Sequence, residues 1–174
     1  MTTDKDILEQ RAKDLLIQRG VTIQDIAELV YFLQKPYVAE LTIEHCYHNV
    51  EMVLKKREVQ NAILTGIQLD LAAEQGTLLA PLQQIIEEDE GLYGIDEILA
   101  LAIVNVYGSI GFTNYGYIDK VKPGILKQLN DHSGDHIHTF LDDIVGAIAA
   151  AAASRIAHAA VDQYDFLKQD AEEK

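Results

Sequence analysis

The chain has 174 residues, enough for one domain with a sizeable hydrophobic core. Its 28 acidic and 14 basic residues give a formal net charge of −14. Lysine and arginine drive the binding of phosphate backbones and anionic lipid headgroups, so this charge disfavours nucleic acids and anionic membrane surfaces as partners. A single cysteine, Cys46, excludes an intrachain disulfide and a thiolate zinc cluster.

Apolar residues recur at helical spacing along the chain, and no segment shows sustained period-two alternation. Thr3 with Asp6 and Thr22 with Asp25 have the form of helix N-caps, and Thr42 and Thr139 are expected to cap longer helices. We predict a single all-α domain over residues 1–174, an irregular array of about seven long and short helices. The predicted helices are 3–20, 22–35, 42–70, 78–86, 96–107, 121–129 and 139–164.

Residues 98–118 carry no charge and approach the length of a membrane span. Gly108, Gly111 and Gly116 lie in the second half of this segment, so we predict a core helix followed by a Gly-aromatic loop, with no transmembrane segment. Residues 1–10 are polar and contain no apolar run typical of a signal peptide. We therefore expect a cytoplasmic protein.

Two pairs of adjacent acids each open a strongly apolar segment. Asp142 and Asp143 precede residues 144–153, which predict a buried helix, and Asp96 and Glu97 precede the apolar residues 98–106. An unpaired buried carboxylate costs several kcal/mol, so each pair needs a cation, a basic partner or water nearby. The two pairs together suggest one shared cation site.

Asp119, a fifth acid, lies in the sequence Asp119-Lys120-Val121-Lys122-Pro123. Two like charges about 5 Å apart repel by roughly 3 kcal/mol at an effective dielectric of 20, so a cluster of such acids requires a counter-ion. Carboxylate ligands without cysteine favour Mg²⁺ or Mn²⁺ over zinc. Lys122 lies where a lysine can hold a phosphate oxygen while Asp119 faces the metal. The pattern is typical of metal-dependent phosphate-ester chemistry.

The order of these motifs resembles the C-terminal signature of the phosphatidylglycerophosphatase A family. The shared motifs are Asp96-Glu97, Asp119-x-x-Lys122-Pro123 and Leu141-Asp142-Asp143-Ile144-Val145-x-Ala147. The match is closest to the soluble, YutG-like branch and covers most of the chain after Val38. That branch shares Lys56-Arg57-Glu58-Val59-Gln60, Leu92-Tyr93-Gly94-x-Asp96-Glu97 and Tyr107-Gly108-Ser109-Ile110-Gly111-Phe112-Thr113-Asn114, within a motif-bearing part at 56–155.

The resemblance implies a Mg²⁺-dependent phosphatase, with Mn²⁺ as a second candidate metal. Its substrate would be phosphatidylglycerophosphate, and its product the phosphatidylglycerol of phospholipid biosynthesis. Metal ligands carry over to Asp96, Glu97, Asp119, Asp142 and Asp143, and catalytic roles to Asp119, Lys122, Asp142 and Asp143. The N-terminal Gly/Pro/Thr-rich motif of the membrane-embedded enzymes has no counterpart in this chain, so its phosphate contacts stay unassigned.

Four further polar residues are candidates for the same site. Glu58 and Asp70 bracket a helix that can supply ligands, although a surface salt bridge explains Glu58 as well. Asn105 lies near the helix face of Glu97, and a hydrogen-bonded core amide is the alternative. Asn114 belongs either to a phosphate pocket or to a glycine-rich turn. His132, His136 and His138 are spaced for a zinc site or for an ordinary polar loop, and the loop is favoured.

Three functions stay open at this point: a lipid phosphatase in peripheral contact with a membrane, a phosphatase of a soluble ester, and a non-catalytic metal-binding regulatory or assembly protein. An exposed apolar groove beside the acids would favour the lipid phosphatase. A small, closed, polar pocket would favour the phosphatase of a soluble ester. Absence of a pocket would favour the regulatory protein. The 48% apolar content and the Ala-rich last helix further suggest a homo-oligomer.

Overall fold

The structure is a computed structural model that describes residues 4–172, with side chains described for residues 7–160. Within these bounds it contains nine α-helices, one 3-10 turn and no strand, which confirms the predicted fold class and single domain. The helices are α1 (Asp4–Gln18), α2 (Ile23–Gln34), α3 (Ile43–Leu54), α4 (Arg57–Glu74), α5 (Leu82–Glu87), α6 (Ile95–Val104), α7 (Gly108–Val121), α8 (Ile125–Leu129) and α9 (Leu141–Glu172).

The last helix, α9, is the axis of the fold. Every residue from Phe140 to Ser154 is buried, because α2, α3, α4, α6 and α7 pack around this part of the helix. The alanines at 147 and 149–153 combine high helix propensity with a small side chain, which lets five neighbours approach one helix. The Ala-rich segment is therefore core, and it is not available as an interface between chains.

Residues 95–121 form a helical hairpin. The prediction of a Gly-aromatic loop in the second half of this segment was wrong, because α7 occupies that half. A 3-10 turn, Asn105–Tyr107, and Gly108 at φ +76° separate α6 from α7. Gly111 serves close packing and does not break the helix: a Cβ there would lie 3.0 Å from Cγ1 of Val104 on α6. Sequence alone does not distinguish these two uses of glycine.

The hairpin is also the one segment, among the described residues, whose length and composition would let it cross a membrane. Only 28% of its most apolar stretch is buried in this fold. The turn divides it into helices of 10 and 14 residues, each shorter than the roughly 20 residues that a helical span needs.

Helix boundaries elsewhere depend on capping. Thr22 forms the predicted capping box with Asp25, and Thr42 caps α3 by accepting from the His45 N–H at 3.1 Å. Thr3 lies outside the described residues. The helix predicted over 42–70 is broken at Lys56, whose extended backbone (φ −79°, ψ 129°) separates α3 from α4.

The closest approach of α4 to α9 occurs at Gly66. A Cβ on this residue would collide with Cδ1 of Ile144, and it would lie 3.0 Å from Cβ of Phe140 and 3.1 Å from Cδ2 of Leu99. Glycine is therefore required at this crossing, where α4 meets both α9 and α6.

We predict that Gly66→Ala lowers the free energy of unfolding by about 1–3 kcal/mol, the usual effect of overpacking a core. Gly116→Ala is the matched control, since a Cβ at this helical position meets nothing within 4 Å. The control should gain up to about 1 kcal/mol from helix propensity. Equilibrium urea unfolding measures both, and equal values for the two variants would contradict the packing described here.

Candidate functional site

A cavity of about 190 Å³ lies where the N-termini of α6 and α9 meet the C-terminus of α7. All five acids predicted as metal ligands line this cavity, although they come from three helices. Since Asp96 begins α6 and Asp119 ends α7, the hairpin brings its two open ends together here. The lining residues are Asp89, Glu90, Gly91, Asp96, Glu97, Asp119, Lys122, Asn130, Asp142 and Asp143.

Lys122 is the one basic side chain among the described residues that line the cavity. Its Nζ donates to Oδ1 of Asp119 at 2.8 Å and to Oδ2 of Asp142 at 2.9 Å. Burial acts to lower the pKa of Lys122, but the attraction of Asp142 and the two hydrogen bonds outweigh it and raise the pKa above its usual value. The left-handed backbone of Lys122 (φ +46°), just before Pro123, ends α7 at this point.

The remaining acids have little to offset their charge. Burial, followed by the negative charges of Asp142 and Asp119, raises the pKa of Asp143 to about 9. Burial is also the largest cause that raises the pKa of Asp96 and of Glu97. Oδ1 of Asp96 is buried without a hydrogen-bond partner among the described residues.

The acidic side chains of the cavity offer only carboxylate oxygens as donors, and these are the ligands that a hard divalent cation prefers. As the side chains stand, no three Asp, Glu, His or Cys groups of the described residues are arranged to hold a metal ion. Lys122 lies between Asp119 and Asp142, so a metal would enter only if carboxylates turn toward a common point. The buried, unpartnered Asp96 oxygen is the donor best placed to gain from such a change.

Asp70 fixes the first turn of α9 behind the cavity. Its carboxylate accepts from the N–H of Phe140 at 3.0 and 3.2 Å and from the N–H of Leu141 at 3.0 Å. Burial raises the pKa of Asp70 to about 8, against the lowering effect of these donors. Both oxygens accept from backbone N–H groups, so Asp70 positions Asp142 and Asp143 and does not line the cavity.

Thr139, which was predicted to cap this helix, instead donates to the carbonyl of Ile86 at 2.6 Å.

The other candidates lie elsewhere. Glu58 is exposed in the first turn of α4, and Asn105 lies nine residues beyond Asp96, roughly 13 Å along the helix axis. Asn114 lines a different cavity of about 530 Å³ between α2, α7 and α9.

The three histidines belong to a polar loop, as the favoured alternative predicted. Nδ1 of His138 lies 3.2 Å from the Arg19 guanidinium, and burial, then Arg19, lowers the pKa of His138 to about 4. His136 Nδ1 lies 3.4 Å from Oε1 of Glu74.

Sequence reasoning missed four lining residues, Asp89, Glu90, Gly91 and Asn130. The first three belong to the run 87–91, which the sequence indicates only as an acidic loop after the helix predicted over 78–86. The acidity of this run was visible, but nothing in the local pattern shows that this loop faces the start of α9. Asn130, at the end of α8, carries no sequence signal at all.

An all-α domain with acids from three helix ends around one cavity matches a known family. Residues 16–158 match the family model described as PgpA, Phosphatidylglycerophosphatase A, and the chain belongs to this family. It is 66% identical over 153 residues to the uncharacterized protein YutG of Bacillus subtilis (strain 168), covering 88% of this chain and 92% of YutG. The predicted resemblance to the YutG-like branch is thereby confirmed.

Two solved structures share the fold over nearly the whole chain. The low temperature requirement C protein from Listeria monocytogenes is 68% identical with a TM-score of 0.87, covering 91% of this chain and 98% of that one. Protein ypjQ from Bacillus subtilis is 56% identical with a TM-score of 0.88, covering 92% and 99%.

We predict that Lys122→Met lowers the free energy of unfolding by about 3 kcal/mol in chelator, because removal of one partner leaves the buried Asp142 charge uncompensated. Added Mg²⁺ or Mn²⁺ should restore part of this loss if the acids accept a cation in place of the lysine. Lys127→Met on the exposed side of α8 is the control and should change stability by less than about 0.5 kcal/mol. Equal losses in both variants would contradict the role given to Lys122.

Proposed function

We propose that this protein is a Mg²⁺-dependent phosphatase that hydrolyses a phosphate monoester at the acidic cavity. Its proposed substrate is phosphatidylglycerophosphate, which would yield phosphatidylglycerol. The observation that carries the proposal is the meeting of five acids from three helices around one lysine. Membership of the phosphatidylglycerophosphatase A family supports phosphate-ester chemistry and a phospholipid substrate class.

The acids would hold the cation. Asp96, Glu97, Asp119, Asp142 and Asp143 supply the oxygen donors that Mg²⁺ or its substitute Mn²⁺ prefers. A divalent ion held there would polarise phosphoryl oxygens and lower the pKa of a bound water. Binding would also relieve the repulsion that raises the pKa of Asp143.

The chain's own groups orient and neutralise the phosphate. Lys122 has three N–H donors, of which two bond to Asp119 and Asp142, so one donor can reach a phosphate oxygen. The N-terminus of α6 points its positive dipole end at the same cavity and favours an anion there. As water attacks phosphorus and the ester P–O bond breaks, one of the lining carboxylates would accept the proton of the water and pass it to the leaving alcohol oxygen.

The mouth of the cavity favours the lipid over the soluble ester. The polar cavity is large enough for a phosphate group, and exposed apolar residues neighbour its lining residues in the sequence. Leu92 is 94% exposed beside Gly91, Ile95 is exposed beside Asp96, and Val121 is exposed beside Lys122. Such a rim suits the apolar part of a lipid whose headgroup enters the cavity. We accordingly propose a cytoplasmic protein in peripheral contact with a membrane through this rim.

The test is phosphate release from phosphatidylglycerophosphate in mixed micelles and from glycerol 3-phosphate, each with Mg²⁺, Mn²⁺ or chelator. The wild type should release phosphate from the lipid only with metal. Asp142→Asn and Asp143→Asn should each lower kcat/KM by about 100-fold or more, whereas Asp135→Asn on the exposed loop should leave it unchanged.

Each alternative has its own result in this experiment. Metal-dependent release from glycerol 3-phosphate alone would assign a soluble ester. Metal binding without release from either compound would assign the non-catalytic regulatory or assembly role. A metal-independent background that is equal in wild type and Asp142→Asn would contradict the phosphatase.

A further inference from the structure

The sides of α4, α6 and α7 that point away from α9 form one continuous surface, here called the neutral face. The three helices lie side by side, since α6 packs against both α4 and α7. Exposed residues of the neutral face include Asn61, Thr65 and Gln68 on α4, Ile98 and Ala102 on α6, and Phe112 on α7.

This face carries no formal charge. Residues 98–118 contain no Asp, Glu, Lys, Arg or His, and in residues 61–73 the one charged residue, Asp70, is fully buried. The exposed Arg57 and Glu58, at the start of α4, lie outside this face. Elsewhere the chain is rich in charge, with 14 basic and 28 acidic residues in 174. Covering this surface costs little free energy of desolvation, because no charged side chain has to leave water.

The neutral face also exposes large apolar side chains. Ile98 is 61% exposed and Phe112 is 40% exposed, and burying either removes apolar area from water at roughly 25 cal/mol per Å². Ala102, one helical turn after Ile98, is exposed and small, so it leaves room for another helix to approach closely. The face thus has both a driving force for association and a suitable shape.

Its size is that of a small interface. The uncharged stretches 61–73, 98–104 and 108–118 have 13, 7 and 11 residues, so they are roughly 20, 10 and 16 Å long at 1.5 Å per residue. With a spacing of about 9 Å they cover a footprint of roughly 410 Å². A face of this size belongs to the low end of specific interfaces, below about 1,200 Å² of total buried area, so we expect a weak dimer.

We propose that the neutral face is the contact between two copies of this chain in a two-fold symmetric dimer. A chain of net charge −14 repels its own copies at charged faces, whereas two neutral faces meet without that penalty. A two-fold contact places the same patch on both sides, which an uncharged patch satisfies without a complementary partner. An anionic membrane or a nucleic acid would need basic residues, and the described residues of this face include none.

The test is the molar mass by size-exclusion chromatography with light scattering, over a range of protein concentrations. The wild type should elute as a species of twice 19.4 kDa. Ala102→Glu places like charges in the contact and should weaken dimerisation at least 100-fold, leaving a monomer with unchanged circular dichroism. Ala39→Glu makes the same substitution at an exposed position between α2 and α3, and it should remain dimeric.

A wild type that stays monomeric at a concentration on the order of 100 µM would overturn the proposal. So would a folded Ala102→Glu variant that dimerises as tightly as Ala39→Glu. A monomeric wild type that co-sediments with phosphatidylcholine vesicles would assign the neutral face to a lipid surface. The proposal does not depend on the phosphatase activity, so failure of one leaves the other standing.

Discussion

The crowding of carboxylates at the first turn of α9 is the constraint on which the site depends. Because α9 is the axis of the fold, Asp142 and Asp143 are 7% and 6% exposed and meet solvent only through the cavity. The α6–α7 hairpin adds Asp96 and Asp119 to the same place, and Asp119 and Asp142 share the single positive charge of Lys122. The fold therefore holds an excess of negative charge at the edge of its core, which a divalent cation would relieve.

The surrounding structure keeps this arrangement in place. Asp70 fixes the start of α9 through backbone hydrogen bonds, and Gly66 and Gly111 allow α4 and α7 to pack closely against their neighbours. The open ends of the hairpin supply acids that line the cavity, whereas its outer side supplies part of the neutral face. One 27-residue segment thus contributes to both proposals, and this explains why it is uncharged along most of its length and acidic or basic only at its two ends.

Local chemistry made much of the fold and of the acid cluster predictable. Helical periodicity predicted the fold class, and the Thr22 capping box formed as expected. The need of buried acids for a counter-ion predicted that five acids would lie together, and all five line the cavity. Two of the failures involve contacts between helices. The role of Gly111 depends on Val104 across the hairpin, and Asp70 caps a helix that begins 71 residues later. Residue type and spacing do not show such contacts, so the sequence predicted Gly111 as a loop residue and left Asp70 as a candidate ligand.

The most direct test of the central claim is Mn²⁺ binding followed by electron paramagnetic resonance of the free ion, with Mg²⁺ as competitor. The wild type should take up Mn²⁺ and release it to Mg²⁺, and Asp143→Asn should weaken binding by about tenfold or more, a loss of about 1.4 kcal/mol. Failure of the wild type to bind Mn²⁺ at millimolar concentration, or equal affinity in the Asp143→Asn variant, would contradict the account of a cation held among these acids.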